Sequence, residues 1–278
     1  MWLTNLKKTN INLKIGCTII GLLLAIMILS LFWTPHDPMY IPLVPGQRML
    51  PPSLLFPLGT DHLGRCILSR AMVASQTAFM IGFLTLLVAG ALGITIGLVS
   101  GFFGGITDEI LMRVVDILLA IPNLLVLLMF ISVFGGGTLQ TVLALSFVNF
   151  VTFTKVVRNR VVSIKEKDHI LWAKNIGAKK HRIMFSHILA ELAPILLVVG
   201  AMMFSGAVMA EAVLSYLGLG VQQPYPSWGN MLTRAQMSLT TNIFYAAVPG
   251  TLITLLVIGA NLISDGIKNT LGVGNFSQ

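Results

Sequence analysis

Two acids stand inside otherwise apolar sequence: Asp116, between Val115 and Ile117, and Glu211, between Ala210 and Ala212. A carboxylate in such a setting is costly and marks an ion or proton relay, a contact with a polar solute, or structural pairing. Asp116 follows Arg113 by three residues, a spacing that lets the two pair on one helix face. Glu211 lies near the end of its apolar run and either braces the adjoining Gly218-Leu219-Gly220 loop or touches a passing solute. Asp61, Arg65 and Arg70 form a third charged group on a polar segment. They either brace that segment by salt bridges or receive a partner protein. Metal chemistry is not expected. His169, His181 and His187 are spaced by 12 and 6 residues, and His36 and His62 by 26, so none pairs at the i, i+3 or i, i+4 spacing of helical ligands. Gly177-Ala178-Lys179-Lys180 lacks the spacing and preceding strand of a phosphate loop, so ATP hydrolysis by this chain is not expected.

The elements that position these residues follow from composition. Of 278 residues, 55% are hydrophobic and 10% charged, and the mean hydropathy is +0.87. Soluble domains carry about 25% charged residues, so a soluble enzyme is excluded, as is disorder, which needs the opposite composition. Apolar runs of about 20 residues predict six membrane helices near 15–33, 77–99, 110–134, 139–157, 190–214 and 243–263. The expected fold class is an all-α membrane protein with six transmembrane helices, a long cytoplasmic loop and both termini cytoplasmic. The first run competes with a cleaved signal peptide, but its length and the following Thr34-Pro35-His36-Asp37-Pro38 favour an uncleaved span. Cys17 and Cys66 lie in unlike segments, and no structural disulfide is expected.

Charge sets the orientation. With six spans, one side receives Lys7, Lys8, Lys14, Arg113, Lys268 and nine cations between Lys155 and Arg182, 14 of the 18 basic residues. Arg48, Arg65, Arg70 and Arg234 fall on the other. The positive-inside rule puts the first side in the cytoplasm. The net charge of +8 is then a topology signal, and no nucleic-acid partner is expected. Gly93, Gly97 and Gly101 recur every four residues, a pattern for close helix approach. Pro122 and Pro249 interrupt the third and sixth spans.

The basic loop has an internal pattern. Ile170, Leu171, Ala173 and Ile176, then Ile183, Met184 and Ile188, describe two short amphipathic helices meeting at Gly177. Such a helix with an exposed apolar face either docks a partner or lies on lipid.

Here the chain resembles the binding-protein-dependent ABC importer permeases. Ala173 and Gly177 match the E-A-A-x-x-x-G…I-x-L-P signature, with Ile188 and Leu189 near its closing I-L; Leu171, Trp172 and Ala190 replace its Glu, Ala and Pro. Leu58 to Arg65 with Ser69-Arg70 resembles L-G-T-D-x-L-G-R-D-x-x-S-R of the dipeptide, oligopeptide and nickel permeases, with Cys66 for Asp. Gly101 to Gly105, Asp108, Met112-Arg113 and Asp116 resemble G-x-x-G-G-x-x-D-x-x-x-M-R-x-x-D. Glu211-Ala212, Ser215 to Gly220 and Pro226 to Gly229 resemble E-A-x-L-S-F-L-G-L-G…P-x-W-G. Asn261-Leu262 with Asp265 resembles N-L-x-x-D.

The resemblance implies one transmembrane subunit of an ATP-driven importer in the bacterial inner membrane, of the C-type half of the permease pair. Its cargo would be peptides, nickel or a metal chelate, with a lean to the latter two from the short stretch before the first span. It implies a homologous second permease, cytoplasmic ATPases carrying ATP and Mg, and an extracytoplasmic substrate-binding protein, with no cofactor in this chain. Leu171, Trp172, Ala173, Gly177, Ala178 and Ile188 are the implied ATPase-coupling residues. Glu211, Asp116 and Arg113 are path or gating candidates, and Gly59, Thr60, Asp61, Gly64 and Arg65 carry the extracytoplasmic motif. The expected division is residues 1–76 (tail, first span, outer segment), 77–270 (transport core, coupling loop near 158–189) and 271–278 (tail). A self-contained channel or ion-coupled carrier is the alternative. It would need polar rings or carboxylate relays, for which only Glu211 and Asp116 are available.

Overall fold

The computed structural model describes residues 10–42, 45–233, 235 and 242–271. Lys7, Lys8, Arg234 and residues 272–278, used above for orientation and division, lie outside them. Among the described residues the architecture is helical, with one isolated bridge between Thr60 and Cys66 in place of any strand.

Helix α1 (Ile11–Phe32) is followed by an outer segment with a 3₁₀ turn at Pro45–Gln47. Then come α2 (Ile67–Phe103), α3 (Gly105–Leu119), α4 (Asn123–Phe134) and α5 (Thr138–Lys165). The basic loop carries α6 (Asp168–Asn175) and the three-residue α7 (Lys180–Arg182). A π-helical turn at Ile183–Ile188 joins α7 to α8 (Leu189–Tyr216); α9 (Trp228–Leu232) and α10 (Phe244–Leu271) follow. Among the described residues five helical runs are long and apolar enough to cross a membrane, six if one bent pair is counted as a span.

That pair revises the third expected span. Helices α3 and α4 meet at a bend of 85°. Proline cannot donate the helical hydrogen bond and disfavours helix at the residue before it; α3 accordingly ends at Leu119 and Pro122 becomes the N-cap of α4. The fifth span also differs from expectation. It does not begin at Ala190; helix runs without a gap from Lys180 to Tyr216, so the second amphipathic helix of the basic loop is the foot of a membrane span.

Glycine contacts set the packing. Against α5, a Cβ on Gly93 would stand 2.9 Å from the Phe153 ring, on Gly97 2.8 Å from the Thr154 carbonyl oxygen, and on Gly101 2.8 Å from Val161. Backbones in contact at this distance maximise dispersion where no hydrophobic effect drives association. Helices α1 and α10 use the same device, with a Cβ on Gly16 2.7 Å from the Gly259 oxygen and one on Gly266 2.6 Å from Leu13. Three buried clusters result: one joins α2, α5 and the basic loop, one joins α1, α2, α9 and α10, and one joins α4, α5 and α8.

Candidate functional site

On the outer segment, Gly59 and Gly64 take positive φ of 78° and 85° and fold residues 59–66 into a tight turn. Thr60 Oγ1 accepts from the Leu50 amide and donates to the Gln47 carbonyl, both at 2.8 Å. Asp61 closes the turn: Oδ1 accepts from the amides of Leu63 and Arg65 at 2.8 and 2.9 Å, and Oδ2 from Arg65 Nε at 2.7 Å. Arg65 also donates to Gln223 at 3.0 Å, and Arg70 to the Pro38 carbonyl at 3.1 Å, with its Nε 3.8 Å from Asp61. All three charged groups are buried. Of the two sequence alternatives these contacts are bracing ones, and burial makes them a cross-link between the outer segment, α2 and the loop after α8. Nearby, His62 Nδ1 lies 2.9 Å from the Tyr245 hydroxyl, which ties the turn to α10.

Glu211 is 1% exposed. Its carboxylate accepts from the Ser215 hydroxyl at 2.6 Å, and Ser215 Oγ in turn accepts from the Val221 amide at 2.9 Å. Helix α8 stops through a Schellman arrangement, in which Gly218, at φ 78°, donates to Ser215 and Leu219 donates to Leu214. Glu211 is thus wired to the Gly218–Gly220 turn. Ser227 and Asn230 form a reciprocal capping box at α9, and Trp228 donates to the Ala71 carbonyl of α2 at 3.1 Å.

The expected Arg113–Asp116 pair does not form. Asp116 bonds Lys155 of α5 at 2.8 Å, while Arg113 approaches Glu109 at 3.8 Å. Asp108 accepts from Arg158 Nε at 3.0 Å and also from Nη2. These charges form a half-exposed seam between α3 and α5. Two residues on one helix lose to a partner across the interface when that partner's lysine reaches the carboxylate directly.

On the basic loop, α6 ends in a second Schellman turn. Gly177, at φ 79°, donates to Lys174, and Ala178 donates to Ala173, both at 3.0 Å. Ile170 and Ala173 of α6, with Ile183, Met184 and Ile188, turn inward against α2, α5 and α8. Leu171, Trp172, Ile176 and Phe185 are left exposed. Two of the nominated residues, Ala173 and Ile188, are therefore buried anchors. Ile176 and Phe185 were missed as contact residues, although reading the two helical faces separately would have found them. Lys165 donates to the Gly101 carbonyl at 2.9 Å, and Lys174 and Lys180 sit 5.9 and 5.8 Å from the Phe102 and Phe103 rings. Cations thus collect at the negative end of α2. Lys167 and His169 both face Glu191 at the foot of α8.

The sequence pattern of the binding-protein-dependent transport system inner membrane component family matches residues 93–272. The chain is 34% identical to the probable D,D-dipeptide transport system permease protein DdpC of Escherichia coli, over 92% of this chain and 85% of that one. It is 32% identical to the oligopeptide transport system permease protein OppC of Bacillus subtilis, over 95% and 86%. It is 31% identical to the nickel transport system permease protein NikC of Escherichia coli, over 94% and 93%. A multi-span helical chain with this match over most of its length belongs to the binding-protein-dependent transport system inner membrane component family, the permease subunits of bacterial ABC importers.

Proposed function

We propose that this chain forms half of a translocation path for peptides or nickel, beside a homologous second permease. Cytoplasmic ATPases carry the ATP and Mg, and an extracytoplasmic binding protein delivers the cargo. The permease itself performs no hydrolysis. The observation that carries the coupling part is the division of the basic loop. Its buried face is anchored to α2, α5 and α8, while Leu171, Trp172, Ile176 and Phe185 stand outward around the Gly177 turn. An apolar, aromatic-bearing knob on a rigid stem fits a pocket on a moving partner. Because α7, the π-turn and α8 are one helical run, displacement of the knob is carried toward Glu211 and the outer loop.

Along α8, Met202, Met209 and Val213 form an exposed stripe at helical spacing; we assign it to the path or the second permease. The arrangement does not support a self-contained channel. Glu211 is engaged by Ser215 and Asp116 by Lys155, so neither acid forms part of an open polar ring. Uptake of labelled dipeptide against labelled nickel, in cells carrying the whole operon with and without this chain, tests the cargo. Co-purification of an ATPase that is lost with Trp172→Ala plus Leu171→Ala tests the docking surface. An ATPase retained at wild-type level by the double variant would exclude it.

A further inference from the structure

Helix α2 ends at Phe103 and α3 begins at Gly105. Between them the chain turns at an elbow in which Gly104 and Gly105 take positive φ of 67° and 55°. Phe103 is 52% exposed and Ile106 76%. We propose that this elbow is a docking surface for an acidic patch of the cytoplasmic ATPase, separate from the knob on the basic loop. For the identity of the partner it rests on the coupling reading given above.

Depth excludes lipid as the cover. Gln76 of α2 donates at 2.8 Å to Ser30, three residues before Trp33 at the outer end of α1. From that level the ~30 Å hydrocarbon core takes about 20 residues of α2 and ends at about residue 96. Phe103 lies about 10 Å further along the helix, whereas a headgroup layer is only about 5–8 Å deep. A half-exposed Phe and an exposed Ile at that depth stand in water until a protein covers them.

Continuity points to the partner. Phe102 packs against the buried cluster beneath the knob, which holds Ile170, Ala173 and Ile183. Lys174 lies over the Phe102 ring and Lys180 over the Phe103 ring. Leu171 and Lys174 share one face of α6 at the i, i+3 spacing. Through the aliphatic stems of the two lysines, the exposed surface of the knob runs onto the elbow. A partner seated on Leu171 and Trp172 reaches Phe103 by extending the same contact.

Charge selects the face of that partner. Lys174 and Lys180 are exposed, and Lys165 stands beside them on the Gly101 carbonyl. The two acids at the start of α3 are engaged within this chain, Asp108 by Arg158 and Glu109 by Arg113. A cationic rim around a small apolar centre fits carboxylates set about an apolar slot. Contact here bears on the end of α2, whereas the knob bears on the foot of α8. Closure of the ATPases then acts on both helices.

A photo-crosslinking residue at Phe103 or Ile106, in the complex expressed from its whole operon, tests this beside one at Trp172. At least one elbow position should capture an ATPase subunit. Lys174→Glu with Lys180→Glu should reduce that capture about tenfold. ATPase captured at Trp172 but at neither elbow position, where lipid or the second permease is found instead, overturns the elbow and leaves the coupling reading in place. Capture of ATPase at none of the three overturns both. Elbow capture unchanged by the charge reversal overturns the acidic patch. If the reversed variant does not assemble, capture at Phe103 and Ile106 with native lysines decides.

Discussion

Asp61 and Asp116 show how setting decides what one carboxylate does. Asp61 is buried, takes two backbone amides and faces two guanidinium groups. Asp116 meets Lys155 at a half-exposed seam. Removing one partner of a buried, hydrogen-bonded pair costs about 3–5 kcal/mol, against about 0–1 for an exposed pair. Arg65→Ala should therefore lower the thermal midpoint of the purified complex and expose residues 45–66 to protease, whereas Lys155→Ala should leave both nearly unchanged. Equal effects would contradict the burial argument. Glu211 belongs with Asp61. If its work is to hold Ser215 and the outer turn, Glu211→Gln, which keeps an acceptor, should retain most transport, and Glu211→Leu should lose it. The apparent KM for cargo should not move with Gln; a raised KM with intact stability would assign Glu211 to the cargo instead. The motif around residues 58–65 was legible in the sequence. Its partner Gln223, 158 positions from Arg65, was not, because nothing local encodes a contact made by folding.

At the scale of elements, hydropathy located the spans because a bilayer demands about 20 apolar residues. It could not give the helix ends, because this protein's spans continue past the hydrocarbon as helix: α2 begins ten residues before the expected 77, and α10 runs to Leu271. The 85° break between α3 and α4 was visible as Pro122 but not as an angle. The α2 glycine pattern was readable, and it separates two classes of substitution. Gly97→Leu drives a side chain into the α5 backbone and should cost more than the 1–3 kcal/mol of ordinary overpacking, which would be seen as loss of a monodisperse complex by size exclusion. At the coupling turn, Gly177 has a positive φ but open space around it. Gly177→Asp should leave assembly and membrane insertion intact while uptake stops, since the new charge lies beside Trp172 and Ile176 on the docking knob. Normal uptake in that variant would remove the coupling role from this turn.

The whole molecule can be placed in the bilayer from its first helix. Between Lys14 and Trp33 lie about 28 Å of helix, close to the ~30 Å hydrocarbon core. Ser30 receives a hydrogen bond from Gln76 at 2.8 Å, which sets the outer boundary near that turn of α2. The 37 residues of α2 span about 55 Å, so both its ends project into water. One end carries Arg70 and the buried turn at Asp61; the other carries Phe102 and Phe103 under Lys174 and Lys180. The tight contacts with α5 at Gly93, Gly97 and Gly101 all lie toward the Phe103 end, and from Gly97 the arms are about 40 Å to Arg70 and about 9 Å to Phe103. Tilting about this stretch would turn a small push at the lysine-capped end into a several-fold larger swing of the far end in the opposite sense. Paired spin labels near residues 70 and 103, each measured against a fixed site on α5, should report a larger displacement at residue 70, of opposite sense, between nucleotide-free and ATP-trapped complexes. Equal displacements would mean that α2 slides and does not tilt.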